Sequence, residues 1–302
     1  MGKRVQRDAA ELAALLPRLD RDANKYTRGK VLVAGGSHEY PGAAVLAAMA
    51  SARCGAGYTR LCVPKGAAQA AHAHLVSVPV HECPGSGGFF SAGAVGDVID
   101  MVAACDALVV GPGMGACAGP ASFLKGLVFR AGADGGHPGA RETPTVFDAD
   151  ALNIIAQDAD VLEGRKSCVN VLTPHAGEAA RLLGREVADR EADALELASR
   201  FNAIVVLKGP GTVVAAPSGD FFVDETGGPE LAKAGTGDVL GGMVAAFMAQ
   251  GLEPFDASCL SVHLHSACGA RAAAGTSALS VLPEDVLAEI GPAILSLAKG
   301  QM

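Results

Sequence analysis

The sequence places its sharpest chemical signal in a glycine-rich segment, residues 234–242 (AGTGDVLGG), followed by an apolar run that predicts a helix. Amide N–H groups at a helix N-terminus bind anions, and glycines let phosphate oxygens approach the backbone. A phosphate is therefore the expected ligand of this segment. Because its carboxylate would repel a phosphate, Asp238 is either the helix N-cap or a general base aimed at a substrate hydroxyl beside the transferred phosphoryl group.

A second glycine-rich segment, residues 208–212 (KGPGT), lies between two predicted strands. Taken by itself, it fits either an ordinary tight turn with an exposed lysine or a cradle for nucleotide phosphates. Its position in chain order before the 234–242 segment favours the cradle. The 111–115 segment (GPGMG) fits a dinucleotide fingerprint only loosely, and the sequence lacks the G-x-x-x-x-G-K-[ST] pattern of a P-loop enzyme.

Several titratable residues follow predicted strands, where α/β sheets bind ligands. His175 fits a helix cap or a substrate contact, and Asp148 and Asp150 fit helix caps or groups that orient magnesium or substrate. His263 and His265, two positions apart on a predicted helix, are expected in the core or on the surface. No His-Glu-x-x-His spacing occurs, so a zinc held by the protein is not expected.

Short apolar strands alternate with longer Ala- and Leu-rich helices along the chain. Continuous apolar strands predict an α/β fold with three layers and a mostly parallel central sheet between helices. The spacing also predicts a glycine-rich loop over 131–139 and a hairpin at a sheet edge. The predicted strands are 30–33, 58–63, 106–110, 145–147, 169–172, 204–207, 212–215 and 221–223; the predicted helices are 43–53, 120–130, 151–156, 176–183, 237–250 and 256–274.

Composition narrows the class of protein. With 302 residues, 50% of them hydrophobic and 19% charged, the chain is expected to form one packed domain over residues 1–302, with an N-terminal helical extension over 1–24. A net charge of −8 and the absence of Trp argue against nucleic acid or a membrane as partner. Eight cysteines without a Cys-x-x-Cys pair, and no convincing signal peptide, predict reduced thiols in a cytoplasmic protein.

The ordered set of segments resembles the ADP/ATP-dependent NAD(P)H-hydrate dehydratases of the ribokinase-like superfamily. Each segment alone has low specificity, and the strength of the resemblance lies in their order from about residue 25 to 275. The matching segments are 30–37 (KVLVAGGS), 40–43 (YPGA), 54–57 (CGAG), 111–115 (GPGMG), 147–153 (FDADALN), 172–178 (LTPHAGE), 206–209 (VLKG) and 235–238 (GTGD).

The resemblance implies repair of NADH or NADPH whose reduced ring has been hydrated (NADHX or NADPHX, S epimer). The ring hydroxyl would be phosphorylated by ADP or ATP with Mg²⁺ as cofactor, and loss of phosphate would restore the ring, with Asp238 as the base. It implies hydrate contacts from Ala43, Gly115, His175 and Asp238, and adenine-nucleotide contacts from Lys208, Gly209, Pro210, Gly211, Thr212, Gly235, Thr236 and Gly237.

The resemblance also implies a homotetramer and a separate epimerase partner, since few residues precede the first strand. Two positions depart from the family pattern: Ala176 replaces a common Pro, and Gly228 replaces a frequent Asn. Three other functions stay open at this point. They are a ribokinase-like kinase acting on a thiazole, hydroxymethylpyrimidine or sugar, a nicotinamide dehydrogenase, and a nucleotide-binding regulatory protein without turnover.

Overall fold

A computed structural model describes residues 2–132, 143–165 and 170–301. Cys168, residue 169 of the predicted strand 169–172 and most of the predicted loop 131–139 lie outside these ranges. The strands are β1 Lys30–Ala34, β2 Tyr58–Pro64, β3 Val80–Cys83, β4 Gly85–Ser86, β5 Phe89–Phe90, β6 Ala107–Val110, β7 Thr145–Phe147, β8 Asn170–Leu172, β9 Ile204–Leu207, β10 Thr212–Ala215 and β11 Phe221–Asp224.

The α-helices of the described residues include all those predicted from the sequence and several others. They are α1 Ala9–Ala14, α2 Pro41–Arg53, α3 Ala68–His74, α4 Ala94–Ala103, α5 Ala118–Gly132, α6 Asp150–Gln157, α7 Ala176–Leu183, α8 Arg190–Phe201, α9 Thr236–Ala249, α10 Pro254–Gly275 and α11 Pro283–Ala298. No helix in the described ranges is long and apolar enough to span a bilayer.

Nine of the strands form one sheet in the order β11-β10-β9-β8-β7-β6-β1-β2-β3, within the described part of the chain. All neighbours from β9 to β3 pair in parallel, and only β10 pairs antiparallel, with both β9 and β11. The mostly parallel sheet and the edge hairpin predicted from the sequence are therefore confirmed.

Alternate residues of each central strand enter opposite cores. In β1, Val31 and Val33 face a core built with α2, α9, α10 and α11, whereas Leu32 and Ala34 face a second core built with α4 to α8. A strand whose two faces are both buried is apolar throughout, which explains the continuous runs in the sequence. The predicted three layers are confirmed.

Some helices and strands of the structure were not predicted from the sequence. The 237–250 and 256–274 helices were expected to close the domain, but α11 follows them and packs on both α10 and α2. Pro292 lies inside α11. A proline in a helix interior removes one backbone hydrogen bond, so its presence in the sequence argues against a helix over these residues. The small β4–β5 hairpin was also not predicted, because strands of two residues leave no periodic signal.

The strand order places a ligand crevice at the carboxyl edge of the sheet. From β1 the chain continues to β2 and β3 on one side, whereas β6 to β9 extend on the other side. The connections therefore reverse direction between β1 and β6, and α/β sheets bind ligands outside the carboxyl ends of strands at such a switch point. The crevice is bordered by Gly35 after β1 and by residues 111–115 after β6.

Candidate active site

A cavity of about 680 Å³ opens at the carboxyl ends of β7, β8 and β9, against the start of α9. Nine of the residues expected at the site line it: His175, Lys208, Gly209, Pro210, Thr212, Gly235, Thr236, Gly237 and Asp238. Gly211, Ala43 and Gly115 are not among its lining residues. The structure thus brings together the residues expected on the nucleotide side, together with two of those expected on the hydrate side.

The anion loop, residues 235–238, forms the first turn of α9. Gly235 is the helix N-cap with φ +98°, a left-handed conformation that glycine adopts without strain. A Cβ atom there would also lie 2.7 Å from Pro283, so both the backbone conformation and the available space require glycine. The alternative that Asp238 is the N-cap is wrong, because Asp238 is the third residue of the helix and its carboxylate remains available for chemistry.

Thr236 organises the anion loop from within. Its hydroxyl donates to the carbonyl oxygens of Leu231 and Lys233, each at 2.8 Å, which ties the loop to the preceding turn. The imidazole Nε2 of His265 lies 2.9 Å from the Thr236 carbonyl oxygen. Thr236 would therefore contribute to anion binding through its backbone rather than its hydroxyl.

The lysine loop, residues 208–212, is not a turn with an exposed lysine, and that alternative is wrong. The ammonium of Lys208 lies 2.8 Å from Oδ1 of Asp148, whose carboxylate is 1% exposed. Oδ1 also accepts a hydrogen bond of 2.7 Å from the hydroxyl of Thr173. Burial alone would lower the pKa of Lys208, but the charges of Asp148 and Glu178 outweigh it and raise the pKa. The site therefore keeps a fixed positive charge.

Asp238 is an acidic residue in the lining of the cavity. Burial raises its pKa to about 8, with the negative charges of Asp148 and Glu178 adding to burial and Lys208 opposing it. Burial likewise raises the pKa of Glu178 to about 7. A carboxylate whose pKa lies near the working pH is a stronger base than an ordinary one, so the environment suits Asp238 for proton abstraction.

The structure confirms the helix-cap interpretation of His175. Its Nδ1 accepts from the backbone N–H of Gly177 at 3.0 Å and of Glu178 at 3.3 Å, and Glu178 accepts from the His175 amide at 2.9 Å. His175 is thus the N-cap of α7, and its ring still borders the cavity. Burial, followed by Lys208 and Arg181, lowers the pKa of His175, which favours a neutral ring.

The segment 148–150 links the cavity to the crevice. Neither aspartate caps α6, whose N-cap is Ala149 without a side-chain hydrogen bond, so the capping alternative for Asp148 and Asp150 is wrong. Ala149 has φ +50°, a strained backbone for a residue with a Cβ atom. On one side of Ala149, Asp148 accepts a hydrogen bond of 2.8 Å from Lys208; on the other, Asp150 accepts one of 2.8 Å from the amide of Gly115.

Ala43 and Gly115 lie at the switch-point crevice. Ala43 is in the first turn of α2, and its Cβ would lie 2.9 Å from a Cβ atom added at Gly113. Gly115 has φ +78°, and a Cβ atom there would lie 2.9 Å from the ring of Phe89 in β5. The exposed ring of Tyr40 stands just before α2. These contacts leave little space around Gly113 and Gly115.

Helices α2 and α9 start at the same edge of the sheet. Along the pair, Ser51 donates to the Gly242 carbonyl at 2.9 Å, and Gln250 donates to the Cys54 carbonyl at 3.0 Å. The contacts advance together along both helices, so the two run parallel. Ala43 at the start of α2 and Asp238 at the start of α9 therefore face the same side of the molecule.

Sequence reasoning missed one histidine of the site. His265 was expected only in the core or on the surface, but it is buried and also lines the cavity behind the anion loop. Burial lowers its pKa to about 4, so the ring is neutral at physiological pH. His263, two residues earlier, instead faces Asp224 with Nδ1 at 3.4 Å from Oδ1. The i, i+2 spacing correctly separated the two histidines but could not show which one faces the ligand.

A family model described as NAD(P)H-hydrate dehydratase matches residues 31–292. The chain belongs to the NAD(P)H-hydrate dehydratase family. It is 38% identical over 282 residues to a bifunctional NAD(P)H-hydrate repair enzyme of Salinibacter ruber, covering 92% of this chain and 50% of that protein. The chain spans about half the length of such bifunctional relatives.

The chain covers a larger share of relatives that are named only as dehydratases. The chain is 32% identical over 305 residues to an ADP-dependent (S)-NAD(P)H-hydrate dehydratase of Xanthomonas campestris, with 97% of each chain covered. Among solved structures, it resembles an ADP/ATP-dependent NAD(P)H-hydrate dehydratase from Bacillus subtilis co-crystallised with ATP and Mg²⁺, with TM-score 0.75, 25% identity and 98% of each chain covered. A ribokinase-like protein of Enterococcus faecalis has the same fold, with TM-score 0.79, 24% identity and coverage of 98% and 96%. The resemblance found in the sequence and its ribokinase-like fold are both confirmed.

Proposed function

We propose that this protein is a hydro-lyase that dehydrates the S epimer of NADHX or NADPHX at the expense of ADP, giving NADH or NADPH, AMP and phosphate. The observation that supports this most is the placement of Asp238: a carboxylate of raised pKa on the first turn of α9, next to the anion loop and the Lys208 ammonium. Family membership supplies the substrate class.

The adenine nucleotide would lie along the cavity. Its lining includes the apolar residues Pro210, Leu231 and Val262, which suit a purine base. The lining also includes Lys208 and the residues at the start of α9, whose ammonium and amides suit phosphate oxygens. In this orientation the terminal phosphoryl group would lie beside Asp238, between the cavity and the crevice.

The hydrate would occupy the crevice with its ring hydroxyl directed at Asp238. Asp238 takes the hydroxyl proton, and the oxygen forms a bond to the terminal phosphorus of ADP while the bond to AMP breaks. The ring carbon–oxygen bond then breaks, and the former hydroxyl oxygen leaves within inorganic phosphate. The adjacent ring carbon loses a proton to solvent, and its electron pair re-forms the carbon–carbon double bond of the reduced ring. The amides of the anion loop stabilise the charge on the phosphoryl oxygens during transfer.

The residues present suit a magnesium ion. Oδ2 of Asp148 is buried without a hydrogen-bond partner in the described part of the chain, and carboxylate oxygens are preferred ligands of Mg²⁺. Asp148 would therefore hold the ion, directly or through water, together with the phosphates of the nucleotide. When bound, the ion neutralises phosphate charge during transfer.

The donor and the cellular setting form part of the proposal. Relatives from Neisseria meningitidis and Xanthomonas campestris are named as ADP-dependent, which supports ADP over ATP. Bifunctional relatives are about twice as long as the matched region. Functional partnership with a separate NAD(P)H-hydrate epimerase is part of the proposal. A homotetramer and a cytoplasmic location complete the proposal.

The test compares the two donors directly. Purified protein is mixed with Mg²⁺, NADHX or NADPHX, and either ADP or ATP, and AMP, ADP and phosphate are measured. We expect AMP and phosphate in equal amounts with ADP as donor, together with the restored reduced nucleotide. A stable phosphorylated product without phosphate release would instead identify a kinase of the same superfamily.

A further inference from the structure

The guanidinium of Arg190 contacts the lysine loop, and nothing in the sequence indicated this contact. Arg190, the first residue of α8, donates from Nη2 to the carbonyl oxygen of Leu207 at 2.7 Å and from Nε to that of Gly211 at 3.4 Å. Leu207 directly precedes the lysine loop, and Gly211 is its fourth residue. Arg190 is half-buried and does not line the cavity, so it contacts the loop from behind.

Arg190 occupies a position that local helix chemistry disfavours. A cation at a helix N-terminus faces the positive end of the helix dipole, so an arginine there needs a compensating partner. The neighbouring carboxylates are engaged elsewhere: Asp189 caps α8 and Asp193 pairs with Arg185 at 2.7 Å. Within the described ranges, Arg190 forms no ion pair, and its hydrogen bonds go to the loop carbonyls. Burial lowers its pKa.

Three carbonyls at the lysine loop accept hydrogen bonds from side chains. Arg190 holds those of Leu207 and Gly211, and the hydroxyl of Thr212 donates to that of Gly209 at 3.0 Å. A carbonyl oxygen facing the cavity would repel the phosphates of a nucleotide, whereas an amide facing it would attract them. The peptide orientation at these points therefore decides whether the loop binds an anion.

We propose that Arg190 is a positioning residue for nucleotide binding: it holds the carbonyls of Leu207 and Gly211 away from the cavity and places an unpaired positive charge beneath the nucleotide phosphates. This proposal rests on the proposed function only for the identity of the nucleotide. Arg190 acts through the loop and does not contact the reacting atoms, so its loss weakens nucleotide binding and leaves the chemical step intact.

The experiment compares Arg190→Gln and Arg190→Lys with Arg200→Gln. Arg200 is a matched control on the same helix, since it donates to the Leu182 carbonyl at 2.8 Å without contacting the lysine loop. Dissociation constants for Mg²⁺–ADP are measured by calorimetry without the hydrate, and kcat and the KM for ADP are measured with it. Thermal unfolding of each variant reports changes in stability separately.

We expect Arg190→Gln to raise the Kd and KM for ADP by about tenfold or more with kcat nearly unchanged, as for loss of hydrogen bonds from a charged group. Arg190→Lys should recover part of the affinity, and it serves in place of Arg190→Gln if that variant does not fold. A Kd and KM no more altered than in Arg200→Gln, or a fall in kcat alone, would overturn the proposal. If wild-type protein binds ADP but does not convert the hydrate to NADH or NADPH, the proposed function fails. The binding data still decide the role of Arg190.

Discussion

The nucleotide half and the hydrate half of the candidate site use different parts of the chain. The proposed nucleotide half is the cavity whose lining includes the Lys208–Asp148 ion pair. The proposed hydrate half is the crevice bordered by residues 111–115 and the start of α2, where little space is left around Gly113 and Gly115. Asp238 lies between the two.

This difference separates two ways of binding a ligand. The cavity would hold its ligand by fixed charge, since anions are attracted over several ångströms and tolerate small shifts. The crevice would select its ligand by shape, since closely packed backbone excludes groups that are too large. Substitutions in the first half should therefore affect nucleotide affinity, and substitutions in the second should affect only the hydrate.

The largest effect is expected at Asp238, where the halves meet. Asp238→Asn should lower kcat by about 10²–10⁴-fold, because it removes the general base and little else. The Kd for Mg²⁺–ADP, measured by calorimetry, should change by less than about threefold. Asp220→Asn, half-buried beside the turn between β10 and β11, is the control for a general loss of negative charge. Near-normal turnover in Asp238→Asn would contradict the assignment of the base.

Lys208→Ala should act on the nucleotide half alone. We expect the Kd for ADP to rise by about 10–100-fold, since a charge-assisted hydrogen bond is lost, with less change in the KM for the hydrate. Stability should also fall by about 1–3 kcal/mol, because Asp148 is left buried without its cation. Lys125→Ala is the control, because Lys125 pairs with Asp158 at 2.6 Å on the surface. An unchanged ADP affinity would show that the lysine loop is only a turn.

Gly115→Ala should act on the hydrate half alone. An added methyl group would meet the ring of Phe89 at 2.9 Å and disturb the hydrogen bond to Asp150. We expect the KM for the hydrate to rise by about tenfold while ADP affinity stays constant. Gly184→Ala is a matched control, because Gly184 has φ +74° but open space around it. Equal kinetic effects of the two substitutions would remove Gly115 from the substrate site.

The smallest effect concerns stability and pH. The folded protein holds a proton on Asp238 up to a pKa of about 8, whereas an unfolded chain releases it near the ordinary value of 3.8. The contribution of Asp238 to stability is therefore present in acid and declines as the pH rises from about 4 to 8. Urea unfolding at pH 8 should show Asp238→Asn to be more stable than wild type by at least about 1 kcal/mol. Equal stabilities at pH 8 would show that the pKa is not raised.

Much of the fold could be predicted from the sequence, because buried parallel strands leave continuous apolar runs. The central strands and the hairpin of β10 and β11 appear where the pattern placed them. The β4–β5 hairpin and α11 were missed, since strands of two residues and a helix containing Pro292 give no clear period. Their positions depend on tertiary packing rather than on local sequence.

For the candidate site as well, residues with a local sequence signal were predicted, and residues placed by tertiary packing were not. The glycine-rich loops and Asp238 stand out because anion binding requires particular residues close together in sequence. Arg190 and His265 could not be found this way, because they reach the loops from helices α8 and α10, which lie outside the glycine-rich segments. The strained backbone at Ala149 was equally hidden, since alanine gives no signal of a positive φ.

The most direct test of the account follows the near-ultraviolet absorbance of reduced nicotinamide in a mixture of wild-type protein, Mg²⁺, ADP and NADHX. We predict that absorbance recovers with wild-type protein, in step with AMP and phosphate release, and that Asp238→Asn binds ADP without recovery. Binding of ADP by wild-type protein with no recovery of absorbance from NADHX or NADPHX, with either ADP or ATP, would contradict the dehydratase assignment.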